Sequence, residues 1–265
     1  MTKEISKPEH DDTAPSTLFH ALLRSDTLPA SDKTLKRLRD EALIVVGAGT
    51  VTTSWALSVS TYHLLASPRI LSKLKAELQA SLPSDQLHVP LPQLERLPYL
   101  TAIIQEGLRL SYGVSSRLQR YSPDKDLVFN AKDGRSWVIP AGTPVGMTSV
   151  LLHHDETIFP DSHAFVPERW LDNPKLGKYL VAFSKGSRQC LGINLAYAEM
   201  YLTLSSIFRT FGSSGLRSTD QEVAQKDQGT LELYETSIKD VEIHADGFVP
   251  LPVDSSKGVR VRVRD

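Results

Sequence analysis

Between Ala42 and Pro68 the chain carries no Asp, Glu, Lys or Arg. So long an uncharged stretch leaves two options, a membrane span or a helix inside a protein core. Seven Ser or Thr residues between Ala42 and Ala66, with His63 and two glycines, favour a helix buried in protein over one facing lipid. The pattern predicts one long helix from about Thr34 to Leu65.

The other elements are shorter. Leu18, Phe19, Leu22 and Leu23 predict a short helix, followed by the turn LPAS. Ser67 and Pro68 predict a helix start with the hydroxyl as cap and proline in first position, and Ile70, Leu71, Leu74 and Leu78 form its apolar stripe. Pro98 opens a helix carrying Leu100, Ile103, Ile104 and Leu108. Between Ser115 and Thr148 the pattern changes to a sheet, where LVFN, the turn AKDG and SWVIP predict a hairpin closed by Asp133 and Gly134. A third long helix is expected from about Leu191 to Phe211, then strands around LELYE and VEIHA and an edge or half-exposed strand in VRVRVR. The fold class is therefore mainly α with small β-sheets, α+β. One domain is expected over 17–265, behind a loose polar tail at 1–16 that holds neither a signal peptide nor an anchor.

Charge excludes some functions. Acidic and basic residues number 31 and 30, so no global field favours nucleic acid or an anionic membrane. The basic VRVRVR edge has no further basic clusters to make it a nucleic-acid site, and no Gly-rich phosphate loop is present. A single cysteine rules out an internal disulfide and a multi-cysteine zinc site. His153 and His154 precede Asp155 without the partners that zinc or hydrolase spacing requires, and are read as loop residues.

That cysteine lies in Phe183-Ser184-Lys185-Gly186-Ser187-Arg188-Gln189-Cys190-Leu191-Gly192. A lone cysteine at a helix start is by default a small buried hydrophobe; five positions here argue otherwise. A thiolate bound to haem iron needs a loop that presents sulfur, and a helix N-terminus nearby to stabilise its charge. Gly186 permits a backbone angle that side chains resist, and Gly192 lets the helix lie close to a flat macrocycle. Phe183 shields the sulfur and Arg188 pairs with a propionate. Glu106 and Arg109 share a helix face, and Arg169 in Phe165-Val166-Pro167-Glu168-Arg169-Trp170 offers a second guanidinium to the same carboxylate. On the uncharged helix, Ala48 and Gly49 share a face with Thr52, a smooth patch for oxygen and substrate one turn from a hydroxyl that positions a water.

These four segments, in this order and spacing, resemble the C-terminal, haem-binding portion of the cytochrome P-450 fold from about Thr17 onward, with the N-terminal part missing. GAGTVTTSW, FVPERWL and GFVPLPVDSSKGVRVRV are most similar to fungal secondary-metabolism enzymes of the trichodiene oxygenase-like group. The resemblance implies haem b held by Cys190, with Arg188 and Arg117 at the propionates (Arg120 competing for the second role), Thr52 as the oxygen-activating alcohol, and Glu106, Arg109 and Arg169 as a structural triad. It implies insertion of one atom of O2 into an apolar organic substrate, with electrons from an NADPH-dependent flavin reductase that Lys185 helps to steer. Residues near Gly113, Val114 and Phe248 are expected to line what is left of the pocket. Family members usually sit on the cytoplasmic face of the endoplasmic reticulum through an N-terminal helix absent here, so the chain as given is expected to be soluble. Val51 departs from the family, which often has an acidic residue before the threonine. Two other outcomes follow from the departures: a non-oxygenating haem isomerase or dehydratase, or a truncated remnant that cannot hold haem.

Overall fold

A computed structural model describes residues 17–83, 88–131 and 133–265; the expected tail at 1–16 lies outside them. The chain divides into two compact units, Met1–Val51 and Thr52–Asp265.

The first unit holds α1 (Leu18–Arg24), a 3-10 turn (Ala30–Lys33) in place of part of the LPAS turn, and the beginning of α2 (Leu35–Ala66). Thr17 caps α1 through a reciprocal box with His20. Ion pairs Lys36–Asp40 and Arg37–Glu41, four apart, support the first turns of α2.

In this unit the burial expected of the uncharged helix is not found. Leu43, Ile44 and Val46 are 65–69% exposed, because no described element of the unit packs against them. Helix α2 is long and apolar enough to cross a membrane by length and composition. In the second unit the same helix turns inward, burying Ala56, Val59, Leu64 and Leu65.

The core of the second unit is built from helices whose apolar stripes meet. Helix α3 (Pro68–Ser81) supplies Ile70, Leu71, Leu74 and Leu78; after the short α4 (Leu91–Leu94), α5 (Pro98–Ser111) supplies Leu100, Ile103, Ile104 and Leu108. Ser67 does not cap α3 through its hydroxyl. Its carbonyl instead receives the Ile70 and Leu71 N–H groups, both at 3.1 Å. The start of α5 is capped from afar, since Tyr99 and Leu100 N–H groups donate to the Glu77 carboxylate at 2.7 and 2.8 Å.

The middle segment forms two small sheets rather than one. Strands β1 (Leu118–Arg120), β2 (Leu127–Asn130), β3 (Ser136–Ile139) and β4 (Val145–Met147) pair as β1–β4 and β2–β3, both antiparallel. The β2–β3 hairpin has the predicted strands, with Gly134 in its turn and residue 132 outside the described set. Two short helices follow, α6 (Ser149–His153) and α7 (Glu168–Asp172). Helix α8 (Ile193–Thr210), two residues later in start than expected, adds Met200, Leu204 and Phe208 to the core.

Beyond α8 come β5 (Phe211–Gly212), α9 (Ser214–Thr219), α10 (Gln221–Ala224) and β6 (Gly229–Leu233). The VEIHA segment is not a strand. A capping box between Ser237 and Asp240 winds the chain into a 3-10 turn, and Val241 N–H closes it on the Ile238 carbonyl. Strand structure resumes as β7 (Ala245–Gly247) and β8 (Val249–Leu251), a hairpin with the single residue Phe248 at its tip. Strand β9 (Val261–Arg264) lies antiparallel to β6 at the sheet edge, and all four of its residues are exposed.

Candidate functional site

The cysteine loop is shaped by its own backbone. Phe183 carbonyl accepts the Cys190 N–H at 2.9 Å, which closes the loop, while Gly186 carbonyl accepts the Gln189 N–H at 3.0 Å across a 3-10 turn, Gly186–Arg188. Gly186 sits at φ 77°, a left-handed conformation that a side chain resists. Gly192 caps α8, so Cys190 stands just ahead of the helix N-terminus. Phe183 packs its ring on Tyr197, centroids 5.4 Å apart, which anchors the loop to α8.

Among the described residues, the cysteine end of the loop is left open. Cys190 is exposed, Leu191 is 91% exposed, and a Cβ placed on Gly192 would meet only the Cys190 Sγ, at 4.0 Å. Arg188 and Arg117 are exposed, and neither joins an ion pair among the described residues. A bare sulfur, a smooth glycine edge, an apolar leucine and two available cations fit a large flat apolar group with carboxylates on its rim. That is the chemistry of haem.

Glu106 stands at the opposite extreme. It and Arg109 are fully buried, with Arg109 Nη2 2.8 Å and Nε 2.9 Å from the two carboxylate oxygens. Arg169 Nε donates to Glu106 Oε1 at 3.1 Å, joined by the Val166 N–H at 2.9 Å, and the Trp170 indole N–H donates to Oε2 at 2.9 Å. Arg109 also donates to the carbonyls of His153, Ser162 and Ala164 at 2.9, 2.6 and 3.0 Å. The three residues chosen from sequence are thus brought together, and each charge has partners on several sides.

Sequence reasoning missed two members. Trp170 stood in the motif but was given no role. His153 was placed in a loop, yet it ends α6 fully buried; its Nδ1–H donates to the Arg109 carbonyl at 2.7 Å and its Nε2 accepts the Val181 N–H at 3.1 Å. Those bonds define a neutral imidazole, and burial pushes its pKa down to about 4. His153 therefore links the triad to the chain that enters the cysteine loop two residues later. Glu168 accepts from Arg69, Lys73 and Tyr99 at 2.8, 2.7 and 3.1 Å. Burial raises its pKa, but the bonds from Lys73, its own backbone and Arg69 outweigh that and hold it at about 2.

The helix motif is placed without a break in α2. Ala48 and Gly49 are exposed in the first unit, with nothing within 4 Å of a Cβ placed on Gly49, and Thr52 is half-buried at the start of the second. Ser58 and Ser60 bond back to the carbonyls of Ser54 and Ala56 at 2.8 Å each. No group of three or more His, Cys, Asp or Glu residues with metal-binding geometry occurs among the described residues.

One mainly helical α+β unit thus carries both the exposed cysteine ahead of α8 and the buried Glu-x-x-Arg network. The family model described as Cytochrome P450 matches residues 1–236, and the chain belongs to that family. It is 54% identical over 248 residues to "Cytochrome P450 monooxygenase tpcC" of Cochliobolus heterostrophus, covering 93% of this chain and 46% of that protein. It is 47% identical over 253 residues to "Cytochrome P450 monooxygenase astB" of Talaromyces wortmannii (94% and 50%) and 42% identical over 260 to "Tryptophan 6-hydroxylase fscE" of Fusarium equiseti (97% and 46%). The chain spans about half the length of these relatives.

Proposed function

We propose that this chain is the haem-binding portion of a fungal secondary-metabolism monooxygenase, with Cys190 as the thiolate ligand of haem b. The observation that carries the reading is the exposed Cys190 ahead of α8, on a loop closed by its own backbone. When bound, haem supplies activation of O2 for insertion of one oxygen atom into an apolar molecule, and thiolate ligation favours O–O cleavage.

The chain's own residues do the rest. The loop is tied to α8 by the Phe183–Tyr197 ring contact and closed by the Cys190 N–H on the Phe183 carbonyl, which fixes the backbone that carries the sulfur. Arg188 and Arg117 pair with the carboxylates at the macrocycle's rim. Glu106, Arg109 and Arg169 keep the segments beneath the loop from shifting, and His153 carries that rigidity to Val181. Thr52 offers a hydroxyl that orders a water for proton delivery, while Ala48 and Gly49 keep its helix face smooth. Lys185, exposed in the loop, steers the acidic surface of an NADPH-dependent flavin reductase.

With haem, reductase and NADPH, the expected outcome is coupled consumption of NADPH and O2 that stops when either is withheld. Val51 beside Thr52 favours a second reading, a non-oxygenating isomerase or dehydratase. That enzyme would rearrange or dehydrate an oxidised lipid such as a fatty-acid hydroperoxide with neither NADPH nor O2 and with no oxygen passed to a second molecule, and this result, with no NADPH-dependent O2 consumption, would overturn the oxygenase reading.

A further inference from the structure

Tyr112 follows α5 at φ 63°, a left-handed conformation that a bulky residue resists and keeps only where its surroundings hold it there. Its N–H donates to the Leu108 carbonyl at 3.2 Å, its side chain is buried, and its hydroxyl lies 2.6 Å from His154 Nε2. Behind that imidazole runs a second bond, between His154 Nδ1 and Ser162 Oγ at 3.2 Å, and behind the serine a third, from Ser162 Oγ to the Glu156 carboxylate at 2.7 Å.

The direction of each bond is fixed from the outer end. An ionised carboxylate only accepts, and the bond from Ser162 holds the Glu156 pKa below its ordinary value, so the one hydroxyl hydrogen of Ser162 points at Glu156. Ser162 Oγ therefore accepts from His154 Nδ1–H, which leaves Nε2 as the bare nitrogen that accepts the Tyr112 hydroxyl. The row is braced. The Ser162 N–H also donates to Glu156 at 3.1 Å, the Ser162 carbonyl accepts from Arg109 at 2.6 Å, and the His163 ring stacks on His154 with centroids 4.0 Å apart. Burial, then His163 and Arg109, push the His154 pKa down to about 4, so this imidazole passes a proton on more readily than it keeps one. Tyr112 and Ser162 are buried and Glu156 is exposed, so the row leads from the core to solvent.

Two other tyrosines show the contrast. Tyr99 donates to Glu168, a carboxylate already claimed by Arg69 and Lys73, and Tyr201 meets the Thr101 hydroxyl. Neither faces an uncharged base with an exit behind it.

We propose that Tyr112 is a redox-active site, which yields one electron to a strong one-electron oxidant while its proton leaves through His154, Ser162 and Glu156. The Tyr112 O–H bond breaks as Nε2–H forms, the Nδ1 proton moves to Ser162 Oγ, and the Ser162 hydroxyl hydrogen moves to the Glu156 carboxylate. The electron ends on the oxidant and the proton on Glu156, and a neutral tyrosyl radical stands beside an imidazole that is again neutral. Return of an electron runs the row backward. This activity goes beyond the haem-thiolate reading and needs no haem.

The test is flash photolysis of the full chain with tris(bipyridine)ruthenium and a cobalt(III) electron acceptor, followed by the absorbance of the tyrosyl radical and by electron paramagnetic resonance. Tyr121, 65% exposed, is replaced by phenylalanine throughout to remove a surface target. The chain is expected to give a neutral tyrosyl signal that forms more slowly in D2O and is lost in Tyr112→Phe. Glu156→Gln still accepts from Ser162 but cannot take its proton, and is expected to slow formation of the radical at least about tenfold. Glu156 is exposed, so this variant decides the matter even where Tyr112→Phe does not fold. No tyrosyl signal, or the same signal in Tyr112→Phe, would remove the site, and an unchanged rate in Glu156→Gln would remove the proton row; either overturns the proposal and leaves the role of Cys190 untouched.

Discussion

Glu106 and Cys190 are the two chemically specific side chains of this protein, and their surroundings differ in kind. Every oxygen of the Glu106 carboxylate is claimed by protein donors, in a pocket closed to water. The Cys190 sulfur faces outward, with only its backbone engaged. A network complete without a ligand serves the fold, whereas a loop complete only in its backbone leaves its side chains for something else. On that difference rest four expectations.

The largest concerns the buried charges. Arg109→Ala leaves Glu106 with Arg169 as its remaining cation, and such a break costs about 3–5 kcal/mol. Urea unfolding of the haem-free chain is expected to show most of the stability gone. A small loss would mean that the network is ornamental and would erase the contrast with the loop.

The next effect belongs to the link between the two regions. His153→Ala leaves the Arg109 carbonyl and the Val181 N–H without their partner, at about 1–3 kcal/mol for each buried group. His153→Gln is expected to recover part of that. An unfolding midpoint unchanged in both would show that the cysteine loop does not depend on the triad.

Acid should act through the same imidazole. His63, His153 and His154 are each pushed from 6.5 to about 4, chiefly by burial. Below pH 6.5 the unfolded chain takes up protons that the folded chain refuses, so stability is full above that pH and falls as pH drops toward 4. Urea midpoints measured across this window should decline, and His153→Gln should flatten the decline; the same slope in the variant would contradict the assignment.

The smallest effect sharpens the comparison most. Cys190→Ser should change the stability of the haem-free chain by less than about 0.5 kcal/mol, as for an exposed surface position. A large loss would mean that the sulfur is packed after all.

What sequence made legible was local. The apolar stripes of α3 and α5, the β2–β3 hairpin and the edge strand β9 follow from periodicity and turn chemistry that neighbouring residues carry. Glu106 and Arg109 were legible because three residues on a helix share a face, and Arg169 because its motif offered a second guanidinium. What escaped depends on partners distant in sequence. Glu77 caps a helix that begins beyond a separate short helix, and nothing near it marks it as a cap.

Lys75 was the same kind of case. It lies beside the apolar stripe of α3 where a solvated lysine is ordinary, yet it is buried against Asp227 at 2.5 Å and the carbonyls of Phe208 and Phe211. The VEIHA segment read as strand because alternation was visible and the Ser237–Asp240 box just before it was overlooked. Composition found the long uncharged helix but had no means of saying that its first half is uncovered in its own unit. The hydrogen bonds from Ser115 and Ser116 to Asp246 likewise join residues that only the fold makes neighbours.

The most direct test of the central claim is a reduced, carbon monoxide difference spectrum of the chain reconstituted with haem, beside Cys190→Ser. Thiolate ligation predicts a strongly red-shifted Soret band in the unsubstituted protein that disappears in the serine variant while haem uptake persists. An unshifted band, or the same band in both proteins, would show that Cys190 is not the iron ligand.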